Sequence, residues 1–107
     1  MIHGVDTRVL AVCDGEMLAR ARAQRHRIAI FAIEGAIPTG SYAPRTIENI
    51  AEAAFGVDKG SARVSVETAA LSLSFDPRRV AFAAMQRILD RKLATMRLSL
   101  LPMTIID

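Results

Sequence analysis

Residues 62–77 read ARVSVETAALSLSFDP, and no other stretch restricts this chain as strongly. Val64 and Val66 alternate with Arg63, Ser65 and Glu67, and Leu71, Leu73 and Phe75 alternate with Ser72 and Ser74. Successive side chains of a strand point to opposite faces. Alternation on both sides of a short connection therefore predicts an antiparallel hairpin with one apolar face. An apolar sheet face has to be buried against another layer. The opposite face, with Ser65, Ser72 and Ser74, is expected to meet solvent.

The flanking segments supply the missing layer. Ile47, Ile50, Ala51, Ala54 and Phe55 recur at helical spacing and predict a helix that starts near Pro44 or Arg45 and stops at Gly56. Asp76 and Pro77 read as the N-cap and first residue of a second helix, with Val80, Ala84, Met85, Ile88 and Leu89 on its buried face. RIAIFAI at 27–33 is apolar on both faces, as interior strands are. Met96, Leu98 and Leu100 alternate with Arg97 and Ser99 in a last strand that Pro102 ends or bends. The order from residue 27 is β-α-β-β-α-β. The expected fold class is α+β, a ferredoxin-like sandwich of two helices on a four-stranded antiparallel sheet.

Residues 1–26 stand before this unit as a strand–helix extension, and residues 27–107 form the domain proper. RVLAVC at 8–13 reads as a short strand. EMLARARAQR at 16–25 reads as a helix with Asp14 as N-cap and a narrow stripe of Met17, Leu18 and Ala21. The extension is expected to offer the sheet a fifth strand with Cys13 at its end.

Composition bounds what such a domain does. A chain of 107 residues suits one small domain. Hydrophobic residues make up 51% and aromatics 5%, which argues against a disordered tail and for an aliphatic core. No apolar run reaches the roughly 18–20 residues that cross a bilayer. Asp6, Arg8, Asp14 and Glu16 break up the N-terminal segment, so no secretory signal is read there and a cytoplasmic location is expected. The single cysteine forbids an internal disulfide and agrees with a reducing compartment. The net charge is +3 and the pI near 9.8. The basic clusters Arg20, Arg22, Arg25, Arg27 and Arg78, Arg79 read as solvated surface.

With the elements in this order, FAIEG at 31–35, TIENIAEAAFGV at 46–57 and ARVSVETAALSLSFDPRRV at 62–80 resemble the heavy-metal-associated domain family. Its members include copper chaperones and the N-terminal domains of metal-transporting P-type ATPases. The resemblance runs from about Ile28 to Leu101. It implies a metal loop between the first strand and the first helix, where the family carries a Met-x-Cys-x-x-Cys motif. Two thiolates at that spacing suit soft Cu(I) or Zn(II), and a helix N-terminus lowers their pKa.

Here the loop reads GAIPTGSYAPRT, longer than the family's and without cysteine or methionine. The residues at that position are Gly35, Thr39, Gly40, Ser41, Tyr42 and Arg45. They offer hydroxyls, a helix start and a guanidinium, a set that caps a helix or meets an anion. Cys13 is the one thiol, so Cu(I) or Zn(II) would require it, in a site shared between subunits. Otherwise no cofactor is expected.

No Ser/His/Asp set, no cysteine with an adjacent base and no conspicuous carboxylate pair is legible, so no enzyme is expected. The hairpin carries no aromatic on its serine face for stacking bases, which argues against nucleic acid. The resulting expectation is a degenerate heavy-metal-associated-like domain, a protein-interaction or regulatory module related to copper-type metal transport. It would meet a protein partner or a second copy through a sheet edge, and the apolar tail Met103 to Ile106 would cover an edge or mediate self-association. The alternatives are a metal chaperone using Cys13 between subunits and a basic nucleic-acid-binding ferredoxin-like domain.

Overall fold

In the computed structural model, which describes residues 11–107, four strands form one antiparallel sheet in the order β2-β3-β1-β4. The strands are β1 (Arg27–Glu34), β2 (Arg63–Ser65), β3 (Ala70–Phe75) and β4 (Ser99–Ile106). The helices are α1 (Gly15–Gln24), α2 (Ala43–Glu52) and α3 (Phe82–Leu93), and a single 3₁₀ turn, Ala94–Met96, follows α3. This is the ferredoxin-like order expected from residue 27.

Alternation along β1 and β3 sorts the core into two halves. Ala29, Phe31, Ile33, Leu71, Leu73 and Phe75 face α2 and α3, where Ile47, Ala51, Met85, Leu89 and Leu93 complete the main core. Phe82 brings a third ring, stacked on Phe31 at 5.7 Å between centroids. The opposite face carries Ile28, Ile30 and Ala70, and α1 lies over it through Met17 and Ala21, with Val12 alongside. The described part of the extension is thus a third layer. β1 is apolar on both faces because both faces are covered.

This covering layer corrects the expectation for the serine face. Ser72 and Ser74 are buried, at 0% and 6% exposure. A hydroxyl buried without a partner costs about 1–3 kcal/mol, and both avoid that cost. Ser72 Oγ donates to the Val12 carbonyl, and Ser74 Oγ donates to Asp58 Oδ2 at 2.6 Å.

Four further expectations change. Of the strand expected over 8–13, residues 8–10 lie outside the described residues, and Ala11 and Val12 are helical. No fifth strand joins the sheet among the described residues. Asp76 does not cap α3. Its carboxylate accepts from Arg78 N at 3.0 Å and its carbonyl from Arg79 N and Val80 N, which closes a separate turn. The helix begins at Phe82 after Ala81. Phe55 leaves the buried stripe and is 56% exposed, with the Arg79 guanidinium 4.9 Å from its ring centre. Val66 lies in the hairpin turn and is exposed.

Pro102 bends β4 and does not end it. The register against β1 slips between Ile30 and Phe31, where Thr104 and Pro102 are the successive partners. Met103 is the extra residue of a bulge, a place where a sheet tolerates proline. The tail from Met103 to Ile106 is therefore part of an edge strand.

Both sheet edges are guarded by side chains from the helices. Glu48 and Glu52 of α2 accept from the backbone N–H groups of Val64 and Ala62 at 3.0 and 3.1 Å. On the other edge, Asp90 of α3 accepts from Leu100 N at 2.9 Å, and Gln86 donates to Leu100 O at 3.3 Å. By antiparallel alternation Pro102 is the next outward residue on that edge, and it has no N–H to offer.

Candidate functional site

The loop at 35–42 starts where β1 ends. Gly35 has φ +111°, and a Cβ there would lie 2.6 Å from the Arg97 carbonyl oxygen. A glycine is required because the chain passes so close to the turn before β4. Ile37 packs down against the main core, while Thr39, Gly40, Ser41 and Tyr42 face outward. Tyr42 is 83% exposed.

Tyr42 stands at the N-cap of α2 in a helical conformation, and no side chain caps the helix there. Pro44 removes one of the N–H groups that a cap would serve. Ala43 N donates to Gly40 O at 3.3 Å and Thr46 N to Tyr42 O at 2.9 Å, so the start is closed by backbone alone. Arg45 turns toward Glu48, 3.4 Å away. The six expected residues are spread from the end of β1 to the first turn of α2, and their side chains do not converge on a common point through hydrogen bonds.

A soft ion does not fit this loop. Its side-chain donors are two hydroxyls and an exposed phenol, without a thiolate or an imidazole, and Cu(I) selects sulfur. Among the described residues, no group of three or more His, Cys, Asp or Glu is placed to hold a metal ion.

Cys13 is half-buried against the cluster of Ile28, Ile30 and Ala70. That cluster lies on the sheet face opposite α2, so the thiol and the loop belong to different sides of the molecule. Burial pushes the Cys13 thiol up, and the charge of Asp14 adds to the shift. Both effects favour the protonated thiol, the weaker metal ligand.

A cluster that sequence reading missed sits at the other end of β1. His26, on the turn between α1 and β1, has Nδ1 2.7 Å from Asp58 Oδ2 and Nε2 3.6 Å from Asp76 Oδ2. Asp58 also accepts from Ser74 Oγ. Asp58 N donates to Ser74 O at 2.9 Å, and Ser61 Oγ accepts from Ser74 N at 3.1 Å. Arg78 donates to Asp76 at 3.0 Å and, with a smaller contribution from the His26 side, holds that carboxyl below its ordinary range. These residues are 16 to 32 positions apart in pairs such as Asp58–Ser74 and His26–Asp58, so no local motif announces them.

Histidine, serine and aspartate here do not form a nucleophile. The serine proton points to the aspartate and not to the histidine, and Ser74 is buried. What the cluster does is structural: it ties the α1–β1 turn to the turns after α2 and after β3.

The arrangement of this domain recurs in solved structures. Oxidized MerP from Ralstonia metallidurans CH34 matches with a TM-score of 0.55 at 19% identity, over 72% of this chain and 96% of MerP. A copper-binding domain from HMA7, a P-type ATPase, matches with a TM-score of 0.58 at 16% identity, over 74% of this chain and 96% of that domain. The N-terminal domain of a potential copper-translocating P-type ATPase from Bacillus subtilis, in the Cu(I)-loaded state, matches with a TM-score of 0.57 at 20% identity. That match covers 77% of this chain and 92% of the Bacillus domain. No family model and no curated protein matches the sequence. At such identities likeness shows fold alone, and the fold of this chain is that of heavy-metal-associated domains.

Proposed function

We propose that this chain is a heavy-metal-associated-type module that works by contact with a protein partner in a metal-transport setting, and not by holding an ion in its own loop. The observation that carries this reading is the loop itself. It keeps the fold's turn and helix start, yet offers a soft ion only oxygen donors. The solved structures that share the fold are described as a copper-binding domain, a domain of a potential copper-translocating ATPase and a metallochaperone, which supports the metal-transport setting.

Contact through a free sheet edge is disfavoured, since Glu48, Glu52, Asp90 and Gln86 already occupy outward backbone groups of both edges. The contact surface is then expected on side-chain faces. Among the described residues no helix is long and apolar enough to cross a membrane.

A competitive Cu(I) titration under reducing conditions tests the reading, using a chelator of known affinity. The native chain and Cys13→Ser are both expected to lose the ion to the chelator. Tight retention by the native chain that disappears in Cys13→Ser would make the protein a metal handler and overturn it.

A further inference from the structure

We propose that the charge on His26 sets how firmly α1 is held over the sheet: the imidazolium closes the third layer, and loss of its proton loosens it. The residue is built into the end of the helix. His26 N donates to Ala21 O at 2.8 Å and Arg25 N to Arg22 O at 3.1 Å, with Arg25 left-handed at φ +59°. This pair of bonds is the Schellman form of helix ending. His26 is therefore carried by the backbone of α1, and whatever grips its ring grips the helix.

Both ring nitrogens face carboxylate oxygens. Nδ1 is 2.7 Å from Asp58 Oδ2, and Nε2 is 3.6 Å from Asp76 Oδ2. An ionised carboxylate only accepts, so each nitrogen needs a proton to attract its partner. A neutral imidazole has one proton. Its place is Nδ1, on the shorter contact, and Nε2 then turns a lone pair toward Asp76. Only the imidazolium serves both sides. Ser74 does not relieve this, because its Oγ proton goes to Asp58 Oδ2 at 2.6 Å.

The surrounding charges point the same way. Asp58 comes from the turn after α2 and Asp76 from the turn after β3. Arg78 donates to Asp76 at 3.0 Å and is the cation that meets this pair among the described residues. Arg22, Arg25 and Lys59 are exposed and form no ion pair with either carboxylate, and Arg27 pairs with Asp107. Two carboxylates and one guanidinium leave one negative charge, which the imidazolium cancels. Arg78 also holds the Asp76 carboxyl below its ordinary range, so that partner stays ionised where histidines titrate. The imidazole is then the group that changes. Its place just past the C-terminus of α1 favours a cation as well, because the helix dipole is negative there.

Beyond this clasp, α1 and the residues before it hold to the sheet through Val12, Met17 and Ala21, over Ile28, Ile30 and Ala70. Loosening the C-terminal end of the helix uncovers Ile28, two residues on from His26. Closure is complete where His26 is charged and weakens as pH rises through its titration.

Amide hydrogen exchange of the full chain tests this, expressed as protection factors so that the intrinsic effect of pH cancels. Protection of α1 is expected to fall about fivefold between roughly pH 5.5 and 8, the size of effect that one cation has at a helix end, while α3 keeps its protection. In His26→Gln, protection of α1 is expected to be low at both pH values and equal between them. In His3→Gln, which removes the other imidazole of the chain, the native dependence is expected to remain. Nitrogen NMR of the imidazoles in the native chain decides the matter even where His26→Gln does not fold. The His26 ring is expected to carry protons on both nitrogens in acid and to keep the Nδ1 proton in base. Protection of α1 that ignores pH, a change shared equally by α3, a dependence lost in His3→Gln, or a neutral ring protonated at Nε2 would each overturn the proposal.

Discussion

At the scale of single residues, Asp58 is the most heavily used side chain. It satisfies a hydroxyl on a serine with 6% exposure and receives the ring of His26, whose side chain is 11% exposed. Asp58→Ala leaves the Ser74 hydroxyl without its acceptor and His26 without its nearer partner. Losing a partner for a buried polar group costs about 1–3 kcal/mol, so urea unfolding of Asp58→Ala is expected to show an unfolding free energy lowered by that amount, read as a lower midpoint at unchanged slope. An unchanged midpoint would show that the network holds nothing. Asp76 makes a separate prediction about acid. Arg78 lowers its folded pKa, so the native state keeps the charge where the unfolded chain takes up a proton. The resulting stability is complete above the ordinary value of 3.8 and is lost as pH falls through the lower folded value. Thermal melts of the native chain and Asp76→Asn should therefore differ near neutrality and converge in acid. A gap that persists at the lowest pH would assign the effect to turn geometry. Cys13 has the opposite sense: its thiol is raised, so alkylation by iodoacetamide should lag behind that of free glutathione near neutral pH and accelerate as pH rises.

At the scale of elements, the guarded edges explain why a four-stranded sheet with two open sides need not pair with itself. Glu48 and Glu52 lie four apart on α2, one turn of helix, and so reach successive outward groups of β2 and the residue before it. Replacing both with alanine frees the N–H groups of Val64 and Ala62. Glu48→Ala/Glu52→Ala is expected to self-associate at concentrations where the native chain stays monomeric, as read by sedimentation equilibrium. A variant that stays monomeric throughout would return the edge to the set of inert surfaces. The elements were legible where one face decided them. β3 followed from Leu71, Leu73 and Phe75, and α2 from Ile47 and Ala51. They were misread where a local signal served two purposes. Asp76 with Pro77 has the form of a helix start, and it closes a turn whose carboxylate also meets Arg78 and His26. The serines of β3 have the form of a wet face. They are small enough to let α1 approach, and their hydroxyls are used by Val12 and Asp58. Sequence alone does not show which layer arrives. For the same reason the place of the loop at 35–42 was legible from the order of elements, while the cluster of His26, Asp58 and Ser74 depends on contacts between distant segments.

At the scale of the whole molecule, the third layer sets this chain apart from a bare two-layer sandwich. The matched domains are covered over 92–98% of their length by 69–77% of this chain, so the βαββαβ unit is complete as a fold without the remainder. What the bare unit would lack here is a cover for Ile28 and Ile30, which are 1% and 0% exposed beneath α1. Burying an isoleucine side chain is worth about 1.5–3 kcal/mol, and exposing two neighbours creates an adhesive patch as well as a thermodynamic loss. A chain of residues 25–107, which keeps His26, is therefore expected to retain the circular dichroism of the sheet and of α2 and α3. It should also bind a hydrophobic dye, melt at lower temperature and run as an oligomer on light-scattering chromatography. Met17→Ala in the full chain is the milder version, expected to cost about 2–5 kcal/mol with no change of topology. If the shortened chain were monomeric, dye-silent and as stable as the full one, α1 would be a passenger on the sheet.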